Sequence, residues 1–328
     1  MRETGQTRDH TVPQMYLKRF AAHEGPRKYT LAVRRLDRVD QPFPAAPTNA
    51  FVERGFYWGT NPDGVPHHMV EAFFTQLESD ATTMLRAVLD DPDGALTGRW
   101  PLPAEERLHL AWWMAAQLLR TTRQRKRIEH LDEGSELLEV PAEIAAIAAN
   151  NPHLRYIVEH VAAIAFTLFT RPWALGFSDM CLLTSDVPVV LFNAPDARNQ
   201  LAAAAVCDVL LPLDPHRLLF LPGAGMQAAD PRKQVDHRMK LPGGVGIGLV
   251  QVAYDVADKL VVHHPAHDPW RHWQPTGTRQ PAPWEGETHP APMHALEYDV
   301  LHPDLTVERR WLTQHPAPRD TDPAATAT

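Results

Sequence analysis

The order of apolar and polar positions divides the chain into a helix-rich first half and a second half of short apolar strands. Over 67–90, Val70, Phe73, Phe74, Leu77, Ala81, Met84, Leu85 and Val88 recur at about 100° per residue, the spacing of one helical face. Glu78 falls at the edge of that stripe, about 20° from Leu85 and about 40° from Phe74 by the same spacing. A second run, 103–127, predicts the central helix. Pro103 suits a helix start, and Glu105 and Glu106 lie in the first turn, where the helix dipole favours carboxylates. Over 108–119 apolar residues occupy every face, so the segment is expected to be buried all round. Gln117 and Arg120 interrupt it and, three residues apart, flank a common face. Arg123, Arg125, Lys126 and Arg127 should mark the point where the helix surfaces into solvent.

Shorter elements frame these two. HTVPQMYLKRF, 10–20, places Pro13 in a first helical turn and Tyr16, Leu17 and Phe20 on one face. The alternation over 29–35 predicts a half-buried strand. An amphipathic helix is expected over 153–169 and a short Ala-rich one over 143–149. Beyond it, 181–192, 204–213 and 217–223 read as apolar strands with Pro and Asp at their joints. A glycine-rich stretch then leads into a helix from about Ile247 to Val256 and a strand. The fold class predicted is α+β: a buried central helix within a helical core, with a mainly antiparallel sheet from the second half. The strand at 29–35 either joins that sheet or covers the helices. From His263 onward the chain holds eleven of the 31 prolines and eight of the 18 histidines. Residues 8–265 are therefore expected to form a single globular domain. Residues 266–328 read as a Pro/His-rich extension with a little ordered sequence, disordered at its end.

Composition narrows the function classes. Contents of 44% hydrophobic and 22% charged residues are those of a globular chain. The net charge of −8 argues against a general nucleic-acid coat, which would be basic. Cys181 and Cys207 are too few for a disulfide framework and read as buried thiols in a reducing cytoplasm. No run reaches about 18 apolar residues, so no membrane span is expected, and the polar leader lacks the apolar segment of a secretory signal.

Several boxes, in order, resemble the bacterial domain-of-unknown-function family 4238. They are the opening H-x-V-P-Q-x-Y-L-x-x-F at 10–20, a Glu-x-x-x-Tyr box (Glu53, Tyr57) and Glu78 within an apolar helix. Gln-x-x-Arg-Thr (Gln117, Arg120, Thr121), Thr-Ser-Asp-x-Pro-Val at 184–189 and Leu-Pro-Leu-Asp-Pro at 211–215 follow. The likeness spans about 8–265. Thr11 stands where the family usually has an aromatic residue, and Gly243-Gly244 where an Asn is expected. The resemblance implies a globular bacterial protein of unsettled activity, and so supplies positions without chemistry.

The candidate site follows from those positions. A buried guanidinium must be paired, so Arg120 either forms a structural salt bridge to Glu78 or Glu53 or clamps an anionic ligand. His10, Glu53 and Asp186 are the candidate catalytic groups. Arg120, Gln117, Gln14 and Tyr57 are the candidate substrate- or anion-binding groups, and Glu78 is the structural partner. For Asp186, at a strand end before Pro188, an Asx-type turn is the alternative. His263-His264-x-x-His267-Asp268 has metal-ligand residue types, but Pro265 rules out helical presentation and no metal is expected there. The basic cluster at 120–127 could touch nucleic acid, and the acidic residues after it favour a solvated helix end. No nucleotide, phosphate-loop or nucleophile-elbow motif occurs, and no cofactor is specified. Two readings remain: a hydrolase-like enzyme acting on a phosphodiester or other anionic substrate, and a sensing or partner-binding protein in which the same residues form a structural network. Its partner would be an anionic small molecule or a nucleic acid, with no membrane involved.

Overall fold

A helix apolar on all sides must be covered on all sides, and the fold is built to do that. The computed structural model describes residues 8–26, 28–59, 69–90, 100–132, 151–192, 200–223, 236–275, 296–301 and 307–312. The expected helix at 143–149 and the terminal residues fall outside these. The first part runs β1 (Arg8–His10), α1 (Gln14–Leu17), β2 (Ala22–Gly25), β3 (Lys28–Arg35), β4 (Phe43–Ala45) and β5 (Val52–Arg54). Three helices follow: α2 (Met69–Leu89), α3 (Ala104–Leu119) and α4 (Thr122–Asp132). Then come α5 (Pro152–Thr170), β6 (Ala174–Ser178), β7 (Thr184–Ser185), β8 (Val190–Phe192) and α6 (Gln200–Val206). The chain continues through β9 (Asp208–Asp214), β10 (Arg217–Leu221), β11 (His237–Leu241), α7 (Gly243–Val256) and β12 (Leu260–His263). A hairpin, β13 (Leu296–Leu301) with β14 (Val307–Leu312), comes last.

Helix α3 is packed between α2 and α5. Leu110, Trp113, Met114 and Leu119 are fully buried, each contributing about 1.5–3 kcal/mol of apolar burial. The helix ends sooner than its apolar pattern suggests. At Arg120 the backbone leaves helical geometry (φ −92°, ψ 25°), and α4 restarts at Thr122. The cause is local: the Thr121 hydroxyl accepts from the Gln124 amide at 3.0 Å, an N-cap within the Thr-x-x-Gln spacing of a capping box. Nor does the basic segment simply surface. Arg123, Gln124 and Arg127 are buried, with Arg123 donating to the Val256 carbonyl and Arg127 lying over the Tyr156 ring. A guanidinium can be buried where carbonyls and ring faces receive it.

The strands form two principal sheets. One has the order β11-β6-β10-β9-β8, antiparallel except for the β11–β6 pair. The other has the order β2-β3-β12-β7 with β4 against β3, antiparallel throughout. The α+β class holds, but the N-terminal strand joins a sheet shared by both halves of the chain. Residues 204–206, expected as strand, finish helix α6, because an alanine run favours helix over strand. Helix α7 begins at Gly243, four residues before the expected start. A Cβ at Gly246 would stand 2.8 Å from Met180 Cβ and 2.9 Å from Ser178 Oγ, so glycine there permits close packing on the β6–β7 loop.

Helix α1 is the clip that joins these layers. Tyr16, Leu17 and Phe20 are buried as their spacing predicts. The Tyr16 hydroxyl donates to the Pro212 carbonyl of one sheet at 2.7 Å and lies 2.8 Å from Thr184 Oγ1 of the other. Packing also continues past His263: Trp270 and Trp273 are buried with Val250 and Ala253 of α7. Among the described residues no helix is long and apolar enough to cross a membrane.

Candidate functional site

Two cavities receive some of the sequence-predicted residues: His10, Gln14 and Glu78 line one, and Glu53 and Asp186 the other. The smaller, about 340 Å³, is an open cleft between the α1 segment and α2, lined by His10, Gln14, Lys18, Glu78 and residues beside them. His10 ends strand β1, and its Nε2 donates to the Thr48 carbonyl at 3.2 Å. Once Nε2 carries that proton, the lone pair of the neutral ring lies on Nδ1. Burial lowers the His10 pKa; the Thr48 bond and Glu78 partly offset this, while Arg8 and Arg120 add to it.

Behind Glu78 stands Arg120. Its Nη1 donates to Glu78 Oε1 at 2.8 Å and its Nε to Gln117 Oε1 at 3.3 Å. The guanidinium lies over the Phe74 ring, 4.8 Å from its centroid. Glu78 is reachable from solvent, with 32% of its side chain exposed against 1% for Arg120. Arg120 thus forms no part of the cleft wall; it holds the carboxylate that does. Tyr57 completes this layer, its hydroxyl donating to the His10 carbonyl at 3.1 Å. Burial pushes the phenol up to about 12, while the Arg120 charge pulls the other way. Arg120 Nη2 and Gln117 Nε2 are buried without a hydrogen-bond partner among the described residues. Buried donors of this kind are uncommon in native proteins.

The ordered series that builds this cleft, from the opening box through Glu78 to Gln117 and Arg120, lies within residues 8–238, which match the family model described as protein of unknown function, DUF4238. The chain belongs to that family. Comparison with curated proteins and with solved structures finds no match.

The family span also includes Glu53 and Asp186, which the structure places elsewhere, on a cavity of about 720 Å³. Strand register explains the parting of His10 and Glu53. In the β1–β5 ribbon Asp9 faces Glu53 and His10 faces Val52, so alternation sends His10 and Glu53 to opposite faces. Glu53 Oε1 accepts from Lys259 Nζ at 2.8 Å. Asp186 is buried, accepting from the Asp258, Lys259 and Leu260 amides at 2.8, 2.6 and 3.1 Å. Burial raises its pKa to about 6, against the three amides that favour the charged form. It makes no Asx turn of its own; it fastens the start of β12. Its neighbour Ser185 makes the local turn, accepting from the Val187 amide at 3.1 Å. Other charges around this cavity are also matched, Arg35 with Asp37 and Asp258 with Lys126.

Lys18 does not stand out in the sequence, since it occupies a variable position within the opening box. The signal was its spacing: four residues after Gln14, it shares the face that Gln14 presents. The cleft therefore offers one neutral imidazole acceptor, an amide, an ammonium group and an arginine-bound carboxylate. Those groups can bind a small anion and move a proton beside it.

Proposed function

We propose that the His10 cleft binds a small anionic substrate and that the protein is a hydrolase-like acid–base catalyst on it. The observation that supports this most is the pairing of a neutral His10, its Nδ1 lone pair available, with a Glu78 carboxylate fixed from behind by Arg120. A base must be unprotonated at working pH and held in orientation; partial burial favours the first for His10, and the Thr48 carbonyl supplies the second. In this reading Nδ1 takes the proton of an attacking water, Lys18 and Gln14 receive the anionic group, and Arg120 is a positioning residue. Glu53 and Asp186 have no part in the chemistry. A cleft of this size suits a phosphate- or carboxylate-bearing fragment better than a polymer face.

The test is a thermal-shift series with inorganic phosphate, nucleoside monophosphates and small carboxylates, followed by phosphodiester and ester hydrolysis assays. A ligand of the folded state must raise its stability, so one of these anions should raise Tm, and Lys18→Ala and His10→Ala should abolish the rise. No shift with any anion, or a shift unchanged in both variants, contradicts the proposal. A second reading, non-catalytic sensing through the same pocket, draws on the near-complete burial of Arg120 under Phe74. It predicts a ligand shift without turnover in any hydrolysis assay.

A further inference from the structure

The His263–Asp268 stretch resolves into two different environments. His263 is buried: its Nε2 accepts from Arg34 Nε at 3.2 Å, and its Nδ1 donates to the His264 carbonyl at 3.0 Å. His267, beyond Pro265, instead meets two residues from distant loops. Cys181 follows β6, and His216 lies in the turn between β9 and β10. One donor atom from each of Cys181, His216 and His267 can be chosen so that all lie within 4.8 Å of one another. Cys181 Sγ is 3.5 Å from His267 Nδ1. Two ligands of a tetrahedral zinc-like ion, one sulfur at about 2.3 Å and one nitrogen at about 2.0 Å, also stand about 3.5 Å apart. The His216 and His267 rings meet edge to face with centroids 4.8 Å apart, which sets the third donor beside the other two.

The loops are fixed to one another, which keeps the three side chains together without an ion. The Leu182 amide donates to the Pro215 carbonyl at 2.7 Å, and the Ser178 amide to the His216 carbonyl at 2.8 Å. Those bonds fasten both sides of Cys181 to the turn that carries His216. The His216 amide donates to Asp214 Oδ1 at 2.8 Å, and the His267 amide to the His264 carbonyl at 2.9 Å. Asp268, next to His267, is held by Arg34 at 2.9 Å. Side chains whose backbones are fixed this way lose little freedom on taking up a ligand.

We propose that Cys181, His216 and His267 form a site for a divalent transition-metal ion of the zinc class. A thiolate with two imidazoles selects such an ion over magnesium or calcium, which take oxygen ligands. His216 is solvent-exposed, so the fourth position faces water, the arrangement of three-ligand sites that bind an exchangeable group. The His264 ring, with its centroid 4.8 Å from that of His267, stands beside the site. None of the three ligands belongs to the His10 cleft.

The test uses the full chain, treated with a chelator, desalted and titrated with Co²⁺ under reducing conditions. Thiolate ligation gives cobalt a near-ultraviolet charge-transfer band that oxygen- or histidine-only sites lack. The expected result is one cobalt per chain with that band, displaced by Zn²⁺. Cys181→Ser should lose the band, and His216→Ala and His267→Ala should weaken binding by at least about tenfold. His216 lies in an exposed turn, so His216→Ala retains the fold, checked by its far-ultraviolet spectrum, and His10→Ala binds cobalt normally. Absence of the band in the unsubstituted protein overturns the proposal. So does a band that survives Cys181→Ser, or cobalt affinity unchanged in His216→Ala.

Discussion

The two cavities contain similar residue types and differ in how far those residues are committed. Around the larger one, each carboxylate considered above has a partner from the chain: Glu53 has Lys259, Asp37 has Arg35, Asp258 has Lys126, and Asp186 has three amides. In the smaller cleft, Glu78 is fixed by Arg120 while His10, among the described residues, is bonded through one nitrogen only. If the proposed function holds, volume alone would choose the wrong cavity for chemistry. Satisfied charges close a wall, and a half-used imidazole beside a fixed carboxylate leaves work for a ligand.

Perturbing each side should separate structure from binding. Asp186→Ala leaves three amides without their acceptor and should cost about 4 kcal/mol, read as a lower urea midpoint. It should leave anion binding in the small cleft intact; losing that binding in a folded variant would break the division. Acid should act next most strongly, through His153, whose Nε2 donates to the Leu119 carbonyl at the end of α3. Burial lowers this histidine from 6.5 to about 4, so the folded chain keeps it neutral where the unfolded chain takes a proton. Its contribution of about 3 kcal/mol is whole above pH 6.5 and is lost as pH falls through 4. Asp186 acts with the opposite sign: raised from 3.8 to about 6, its contribution is whole below 3.8 and is lost as pH rises through 6. Urea titrations at pH 7 and 4.5 should show a smaller acid loss in His153→Gln than in the unsubstituted protein; the variant keeps the acid loss of His160, which burial also lowers to about 4.

Arg120→Ala, which strips Glu78 of its partner and Phe74 of its cation, should cost about 2–3 kcal/mol and abolish anion binding together. A fall of under about 0.5 kcal/mol would mean that the pair does not hold the cleft. His10→Ala should leave Tm within a few degrees, about 1 kcal/mol or less, while removing activity; a larger loss would make His10 a structural residue. Glu53→Gln should have the smallest effect, about 0.5 kcal/mol, because its lysine partner is half exposed. Any loss of turnover in that variant would bring the two cavities back together.

Much of the frame can be read from the chain itself. Periodicity locates α2, α3 and α5, and places Glu78 at the edge of its stripe, where it can meet Arg120 without leaving water. It misses the break at Arg120 because apolar continuity conceals a capping threonine; the Thr121-x-x-Gln124 spacing was the available sign. The candidate residues form one group in sequence order and two in space, since one residue step in β1 turns His10 away from the face of Glu53. Strand register supplies that distinction, and hydrophobic alternation over three residues is too short to reveal it. Cys181, His216 and His267 were illegible together for another reason: three loops bring them into contact, and no spacing along the chain relates them.

Crystals grown with vanadate, a phosphate mimic, would show which cavity takes the anion. Oxyanion density is expected within hydrogen-bond distance of His10 Nδ1 and Lys18 Nζ, with the Arg120–Glu78 pair intact behind it. Density in the larger cavity, or none in the cleft at saturating vanadate, would contradict the proposed function.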